Sequence, residues 1–306
     1  MDEENPEIVH LDRSAKCICA HQSDGDMSET SKFYIGTCSS HEKNSIQVIE
    51  YDDYENNVTK SEIDVDSKGL ITKISQYDDH IAFIEDLNCY IYNLESQAAR
   101  TLVSEATYSS VLKQNRLATL SKSYASIFDI ADIESPTKIH LKNSLQTAFQ
   151  HGELKFDTHS NSQLFATTGK NLDVYDLRSC KSTSTVTSNF QIRSFDINPN
   201  RTDYVTYVTD NRIISTVDVR NQKETISSTE TGHNHWVWSV RYNPFHDRLV
   251  LTSGSDNRAI LYTFFETCSD NVKKSNWQLT SSESFEDDLD KADDYWEVFD
   301  VIISKF

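Results

Sequence analysis

Apolar and polar residues alternate along this chain in short runs, and they lack the three-and-four spacing of an amphipathic helix. Runs of this length, bounded by polar turn residues, predict β-strands. The first clear pair is Phe33-Tyr34-Ile35-Gly36-Thr37 and Ile46-Gln47-Val48-Ile49-Glu50-Tyr51-Asp52, and similar clusters follow to about residue 262. The pattern therefore predicts an all-β protein.

A recurring signature indicates that the strands fall into repeats. The third run of each cluster ends in an aromatic or apolar residue followed by Asp or Asn, or by Thr in one degraded copy. The six copies are Tyr51-Asp52, Tyr92-Asn93, Phe128-Asp129, Tyr175-Asp176, Val217-Asp218 and Tyr262-Thr263. Their spacing of about 36–47 residues brackets the roughly 40–45 of a WD40 repeat. The fold class predicted is therefore a WD40-type β-propeller.

The turns of these repeats contain few glycines, since the whole chain has only seven. Asn and Asp tolerate left-handed backbone best after glycine. We therefore expect them to form turns at Asp78-Asp79, Asp86-Leu87-Asn88 and Asp210-Asn211-Arg212.

The sixth repeat, from Thr231 to Tyr262, follows the WD40 pattern most fully. In such a blade a loop His can donate to a buried hydroxyl, an Asp in the tight turn can accept from the His, and an aromatic residue can close the network. These roles are predicted for His233, Ser253 or Ser255, Asp256 and Tyr262. The alternative, in which His233 and His235 bind a metal, is not predicted, because no Cys or carboxylate lies at ligand spacing nearby.

Composition and charge limit the class of protein. A formal net charge of −19 argues against nucleic acid and anionic membrane surfaces, which attract clustered Lys and Arg. No window approaches the roughly 18 apolar residues of a membrane span. The six scattered cysteines and the acidic N-terminus without a secretory signal predict a reduced, cytoplasmic, monomeric protein. We expect residues 1–306 to form one domain.

The C-terminal part departs from the repeat. Residues 281–294 are strongly acidic and predict a solvated loop, with docking of a basic partner as the alternative. After it, Trp296-Glu297-Val298-Phe299-Asp300-Val301 alternates as a strand should, as does Glu7-Ile8-Val9-His10-Leu11-Asp12. We predict that these two segments share a terminal blade, which gives a seven-bladed ring with an incomplete or atypical last blade.

Two stretches of the chain resemble one WD40 family. These stretches are Phe33 to Asn57 and His235 to Thr252, which are similar to the first blade and a later blade of the EARP and GARP complex-interacting protein family. The resemblance implies a seven-bladed adaptor, without cofactors, that binds the EARP and GARP tethering complexes. It also implies roles in endosomal recycling, endosome-to-Golgi retrograde transport and dense-core vesicle maturation, with association with endosomes and the trans-Golgi network through those partners.

A second hypothesis is a substrate receptor of a cullin-4 ubiquitin ligase. Such receptors carry a Trp-Asp-x-Arg box, and degraded copies occur here with Asp176 and Arg178 in one repeat and Asp218 and Arg220 in the next. The alternative for these four residues is capping of the turn after each strand. An enzyme is not predicted, because no nucleophile elbow, phosphate-binding glycine loop or His-Glu-x-x-His motif occurs.

Overall fold

The computed structural model describes residues 11, 13–22, 30–39, 42–52, 54, 57–103, 106–145, 152–221, 225–269 and 272–284. These residues form 24 strands in six four-stranded antiparallel sheets. Each sheet uses four strands that are consecutive in the chain, which is the arrangement of a propeller blade. The predicted all-β propeller is therefore confirmed.

Blades 1 to 3 form the first half of the described chain. Blade 1 contains Ala15–Ala20 (β1), Thr30–Thr37 (β2), Asn44–Asp52 (β3) and Asn57–Ser67 (β4). Blade 2 contains Ile71–Tyr77 (β5), His80–Glu85 (β6), Asn88–Asn93 (β7) and Ala98–Val103 (β8). Blade 3 contains Thr107–Lys113 (β9), Arg116–Ser121 (β10), Tyr124–Asp129 (β11) and Asp132–His140 (β12).

Blades 4 to 6 form the second half. Blade 4 contains Leu154–Phe156 (β13), Gln163–Thr168 (β14), Asn171–Asp176 (β15) and Lys181–Thr187 (β16). Blade 5 contains Ile192–Ile197 (β17), Tyr204–Thr209 (β18), Ile213–Asp218 (β19) and Thr225–Glu230 (β20). Blade 6 contains Val237–Tyr242 (β21), Leu249–Gly254 (β22), Arg258–Ser269 (β23) and Val272–Ser284 (β24).

The repeat signature marks the same structural position in five blades. The third strands β3, β7, β11, β15 and β19 end at the Asp or Asn of the predicted signature. In blade 6 the degraded copy does not end the strand, because β23 continues past Thr263 to Ser269 while paired with β24. The register of the propeller could thus be inferred from sequence in most blades.

The hydrophobic core lies between neighbouring blades. One cluster joins Phe165 and Val174 of blade 4 to Phe195, Val205 and Val217 of blade 5, and comparable clusters join the other consecutive blades. Each fully buried large apolar side chain stabilises the fold by about 1.5–3 kcal/mol. In four of the five consecutive pairs of described blades the first strands pack against each other, whereas blades 4 and 5 meet mainly through β14 and β17. The first strands are therefore innermost.

The meander topology separates the loops onto two faces. The upper face is the face that carries the loop between the second and third strands of each blade and the connections from one blade to the next. The lower face carries the other two loops of each blade. This division decides which exposed side chains can contact a single partner.

The turns partly follow the prediction. Asp78 and Asp86 adopt positive φ angles of 46° and 45°, as expected for Asp in tight turns. In the turn after β18, however, the left-handed residue is Arg212, with φ 58°, and Leu87 shares the blade 2 turn with φ 69°. The position in the turn therefore fixes the left-handed conformation more strongly than the residue type does.

The segments predicted to close the ring fall mostly outside the described residues. This applies to Glu7–His10, Asp12 and Trp296–Val301, whereas Leu11 packs against Ala15, Ile35 and Ile49. Ser281 to Ser284 of the predicted acidic loop lie in β24, and residues 285–294 are outside the described part. The described chain therefore contains six blades, and a seventh stays a prediction.

Candidate interaction surfaces and buried polar clusters

The loop before blade 6 places His233 at the centre of a buried hydrogen-bond cluster. Its Nδ1 lies 2.8 Å from Oδ1 of Asp256, and its Nε2 lies 2.8 Å from Oγ1 of Thr252. A carboxylate can only accept, so the imidazole donates from Nδ1. Asp256 also accepts from the Asn234 amide at 2.8 Å. We call His233, Thr252 and Asp256 the His233 cluster.

The hydroxyl in this cluster belongs to Thr252 rather than to Ser253 or Ser255. Successive side chains of β22 point to opposite sides of the sheet, so Ser253 cannot face His233 when Thr252 does. Among the described residues the buried Ser253 hydroxyl finds no hydrogen-bond partner. Ser255 instead accepts from Nε1 of Trp238 at 2.5 Å. The predicted hydroxyl, that of Ser253 or Ser255, is therefore wrong, because the alternation of side chains along β22 places Thr252 beside His233.

Two further residues fit around the cluster. The hydroxyl of Tyr262 accepts from the Gly232 amide at 3.3 Å, so it supports the loop that carries His233. A Cβ at Gly254 would lie 2.7 Å from Nδ1 of His233 and 2.9 Å from Oδ1 of Asp256. Any side chain at position 254 would therefore displace the cluster.

Electrostatics favour the ionised form of Asp256. Burial raises the pKa of this carboxyl, but hydrogen bonds from His233 and Asn234 outweigh burial, so the pKa lies below its usual value. The cluster is buried, and the His233 side chain at its centre is only 2% exposed. It can hold a loop in place, and it offers no open side to a substrate.

The two Asp-x-Arg pairs lie in equivalent turns on the lower face. Oδ1 of Asp176 accepts from the Arg178 amide at 2.8 Å, and Oδ1 of Asp218 accepts from the Arg220 amide at 2.9 Å. The guanidinium groups also reach back to the same carboxylates, at 3.3 Å and 2.8 Å. Both aspartates therefore cap the turn, while the arginine side chains remain largely exposed.

A second buried polar cluster occupies the centre of the ring, and no sequence motif indicated it. Glu153, just before β13, accepts from Nη2 of Arg241 at 3.0 Å, from Oγ of Ser194 at 2.9 Å and from the Phe195 amide at 3.0 Å. Nζ of Lys73 lies 3.9 Å from the same carboxylate. Blades 2, 4, 5 and 6 thus meet at one side chain.

A neighbouring ion pair extends this central group. Nζ of Lys155 lies 2.6 Å from Oδ1 of Asp196, whose Oδ2 accepts from the Tyr242 amide at 2.8 Å. Burial lowers the pKa of Lys155, and the nearby Arg241 cation lowers it further against the attraction of Asp196. We call Lys73, Glu153, Lys155, Asp196 and Arg241 the Glu153 cluster.

The charge balance of this cluster strongly favours ionised Glu153. Burial opposes ionisation, but Arg241, Lys73 and Lys155 together lower the pKa of Glu153 to about 2. All five charges come from innermost strands or their immediate starts. The arrangement ties blades together across the ring.

The upper face between blades 5 and 6 carries a stacked group of aromatic and cationic side chains. The guanidinium carbon of Arg193 lies 4.7 Å from the ring centre of Trp236 and 4.5 Å from that of Trp238. The two indoles meet edge to face at 5.8 Å. Asp210 pairs with Arg193. We call Phe190, Arg193, Trp236 and Trp238 the upper patch.

Two members of the upper patch face solvent. Trp236 is 38% exposed and Phe190 is 42% exposed. They occupy successive blade-to-blade connections, which place them on the same face of the ring. Exposed aromatic residues and Arg are the residue types that dominate binding energy in protein interfaces.

The lower face presents a different kind of exposed aromatic residue. Phe245 is 82% exposed in the loop between β21 and β22. Oδ1 of Asn243 accepts from the amides of Phe245 and His246, both at 2.8 Å, so the loop is locally fixed. No stacked cation accompanies the Phe245 ring in the described contacts.

The described residues offer little to a small ligand. A cavity of about 280 Å³ on blade 1 is lined by polar and charged groups, including Arg13, Lys43 and Glu62. Small-molecule sites are usually larger and mainly apolar. No group of three His, Cys, Asp or Glu within the described ranges could hold a metal ion. Nor does that part of the chain include a helix with the length and apolar character needed to span a bilayer.

Six consecutive meander sheets, with the repeat signature at the third strands, define a WD40-type β-propeller. A family model described as the EIPR1 beta-propeller matches residues 7–262. The chain therefore belongs to the EIPR1 β-propeller family, which confirms the family indicated by its residues.

Individual relatives agree with this assignment. The chain is 26% identical to an EARP-interacting protein homolog of Gekko japonicus, over 85% of this chain and 77% of the relative. It is 24% identical to the human EARP and GARP complex-interacting protein 1, over 96% of this chain and 84% of the relative. A shorter match to EARP-interacting protein 1 of Caenorhabditis elegans reaches 40% identity over 22% of this chain and 18% of the relative. These names place the chain among propellers of the adaptor type.

Proposed function

We propose that this protein is a non-catalytic adaptor that binds the EARP and GARP multisubunit tethering complexes. In this role it would act in endosomal recycling, endosome-to-Golgi retrograde transport and dense-core vesicle maturation. It would be cytoplasmic and monomeric, and it would reach endosomes and the trans-Golgi network through its partners, without cofactor, nucleic acid or insertion into the membrane.

One observation carries this proposal. The match to proteins named for interaction with these complexes extends over 85% of the chain in one relative and 96% in another. A propeller offers wide rigid faces for partners, but the fold alone does not determine function. The two faces described above supply the exposed aromatic residues that a binding role requires.

Purification of the tagged protein from cells, followed by mass spectrometry of bound proteins, tests the proposal. We expect recovery of EARP or GARP subunits, with no change on addition of a chelator, nuclease or mild detergent. The purified complexes should also bind the purified protein directly. Loss of binding with the chelator would contradict the absence of a metal site, and absence of both complexes would contradict the proposal.

The cullin-4 receptor remains the second candidate, because the exposed Arg178 and Arg220 side chains lie in successive lower-face turns. Recovery of the cullin adaptor in the same purification would favour it. A double Arg178→Ala, Arg220→Ala variant should then lose the cullin adaptor. Under the tethering proposal this variant should retain the EARP or GARP subunits.

We also propose that the ring has seven blades, the last formed by the segments Glu7–Asp12 and Trp296–Val301. Their alternating patterns support this, and an unpaired strand edge invites aggregation. Deleting residues 1–12 should lower solubility and melting temperature far more than deleting residues 283–294. Equal effects of the two deletions would contradict closure by these segments.

A further inference from the structure

The upper patch has the physical properties of a preformed binding anchor. Trp236 stacks on Arg193, and Arg193 is held from its other sides by Trp238 and Asp210. The Trp238 indole is in turn fixed by its hydrogen bond to Ser255. Because these side chains are already ordered, a partner that covers Trp236 loses little conformational entropy in doing so. A rigid, half-exposed indole of this kind is typical of an interface hot spot.

Positive charge flanks this anchor on both sides. The Lys170 carbonyl accepts from the Ser188 amide at 2.8 Å, which places Lys170 against the loop that carries Phe190. Arg212 contacts the loop that carries Trp236, with Nη1 3.4 Å from the carbonyls of His233 and Asn234. Both side chains are exposed.

The upper loops of blades 3 to 6 are basic as a group. Lys122 and Lys142 lie in upper loops of the same half of the ring, and both are exposed. Three of the anionic side chains described in these loops are paired: Glu153 with Arg241, Asp210 with Arg193 and Asp256 with His233. The exposed anionic side chain at this face is Glu230, at the end of β20. The chain as a whole carries a formal charge of −19. On a protein of this negative charge, a local excess of exposed cations distinguishes the upper loops of blades 3 to 6 from the chain as a whole.

We propose that the upper patch is the docking surface for an acidic segment of a partner protein. An apolar or aromatic side chain of that segment would cover Trp236 and Phe190, and its carboxylates would face Lys170 and Arg212. This inference rests on the proposed adaptor function only where the partner is taken to be a subunit of a tethering complex. It assigns the binding face, which the family membership does not.

A polyanion fits this surface less well than an acidic protein segment. Nucleic acid and anionic lipid gain affinity from many cations acting together, whereas four exposed cations lie here on a protein of strongly negative charge. The central feature is an aromatic side chain in a fixed position, which suits a hydrophobic residue of a peptide. An acidic peptide with apolar anchors therefore matches both the charge and the shape.

The first experiment measures binding of purified EARP and GARP complexes to four forms of the protein. These are wild type, Trp236→Ala, Lys170→Glu and the control Phe245→Ala, which removes an exposed aromatic residue from the lower face. Trp236→Ala should weaken binding about tenfold or more. Lys170→Glu should slow association and reduce its salt dependence. Phe245→Ala should leave binding unchanged, and thermal melts should show that all four proteins are folded.

The proposal would be overturned if Trp236→Ala and Lys170→Glu bind like wild type, or if Phe245→Ala loses affinity to the same extent as Trp236→Ala. The first result would show that the upper patch does not contribute to binding. The second shows that exposed aromatic residues on either face are equally involved.

A second experiment separates this inference from the proposed function, should wild type bind neither complex. A displayed library of random peptides is selected on wild type and on Trp236→Ala. Enrichment of acidic sequences with apolar residues on wild type alone supports the docking surface. Enrichment of uncharged or basic sequences, or of the same sequences on both proteins, overturns it.

Other occupants of the surface would also be recognised. Sedimentation with phosphatidylserine vesicles or binding of single-stranded RNA, lost in Trp236→Ala, would assign the patch to a polyanion and overturn the proposal. Self-association lost in the same variant would assign it to a second copy. Much stronger selection of acidic peptides after deletion of residues 285–294 would show that the chain's own acidic residues occupy it, which also overturns the proposal.

Discussion

The His233 cluster and the Glu153 cluster are both buried and hydrogen-bonded, but they are assembled from very different parts of the chain. His233 and Asp256 are separated by 23 residues and belong to one repeat. Glu153 and Arg241 are separated by 88 residues and belong to different blades. The first cluster fixes a loop on its own blade, and the second joins innermost strands across the ring.

The two clusters also differ in charge. In the His233 cluster one carboxylate faces an imidazole, an amide and, through the imidazole, a hydroxyl. In the Glu153 cluster one carboxylate faces Arg241 and Lys73, and it is only 7% exposed. Removing the acceptor leaves a ring nitrogen and a backbone amide unpaired in the first case, and the cations of Arg241 and Lys73 unpaired in the second. The cost should therefore be larger at the centre of the ring.

Glu153→Ala should be the most destabilising of the changes considered. It leaves the cations of Arg241 and Lys73 without their carboxylate, and breaking a buried ion pair in this way costs about 3–5 kcal/mol. We expect the lower end of that range, because the Arg241 side chain is 29% exposed. Urea denaturation followed by tryptophan fluorescence measures the loss.

Glu50→Ala is the control, because Glu50 also forms a short ion pair, at 2.6 Å from Lys32 compared with 3.0 Å between Glu153 and Arg241. This pair lies on the surface, with Lys32 35% and Glu50 43% exposed. Such pairs contribute below about 1 kcal/mol. If the two variants lose the same free energy of unfolding, burial does not distinguish the central cluster.

The stability of the wild-type protein should fall in acid partly through Glu153. Its folded pKa of about 2 is below its ordinary 4.5, so its stabilisation is complete above the unfolded pKa and is lost as the pH falls towards the folded one. The window is therefore about pH 5 to 2, with an effect on the order of 2–3 kcal/mol. Glu153→Gln should unfold with a shallower dependence on pH across that window, and parallel curves would contradict this assignment.

Asp256→Ala should cost about 1–3 kcal/mol, because Nδ1 of His233 and the Asn234 amide lose their acceptor. A thermal melt measures the shift, with Asp256→Asn as the control that keeps one acceptor oxygen. An unchanged melt for Asp256→Ala would contradict a stabilising role of the His233 cluster. A loss larger than that of Glu153→Ala would reverse the order of the two clusters.

The sequence allowed one cluster to be anticipated because its members have fixed places within a repeat. The pattern of a single blade predicts where His233 and Asp256 lie. Whether Thr252 or Ser253 faces His233 depends on the register of β22, because a shift of one residue moves each side chain to the opposite face of the sheet. The aromatic residues Trp236 and Trp238 are also evident in the sequence. Their cation, Arg193, belongs to the preceding blade and could not be assigned to them.

The Glu153 cluster could not be predicted for a related reason. In the sequence Glu153 follows Gly152 and precedes a short strand, without any motif around it. Its partners come from three other blades, and their distances depend on how the innermost strands are placed around the ring. Contacts of this range depend on how the blades are placed around a common centre, whereas a repeat pattern describes only their number and spacing.

The smallest effect is expected for Asp218→Ala, which tests a polar group that is neither buried nor part of a cluster. Asp218 accepts from the Arg220 amide and pairs with its guanidinium in a lower-face turn. Hydrogen bonds and a surface ion pair of the side chain lower the pKa of Asp218, with Arg220 as the main cause. Water can replace these contacts at an exposed turn, so the loss should be below about 1 kcal/mol. Asp218→Asn keeps the acceptor for the amide and should melt close to wild type. A larger loss for Asp218→Ala than for Asp256→Ala would mean that the lower turns, rather than the buried cluster of blade 6, determine the stability of a blade.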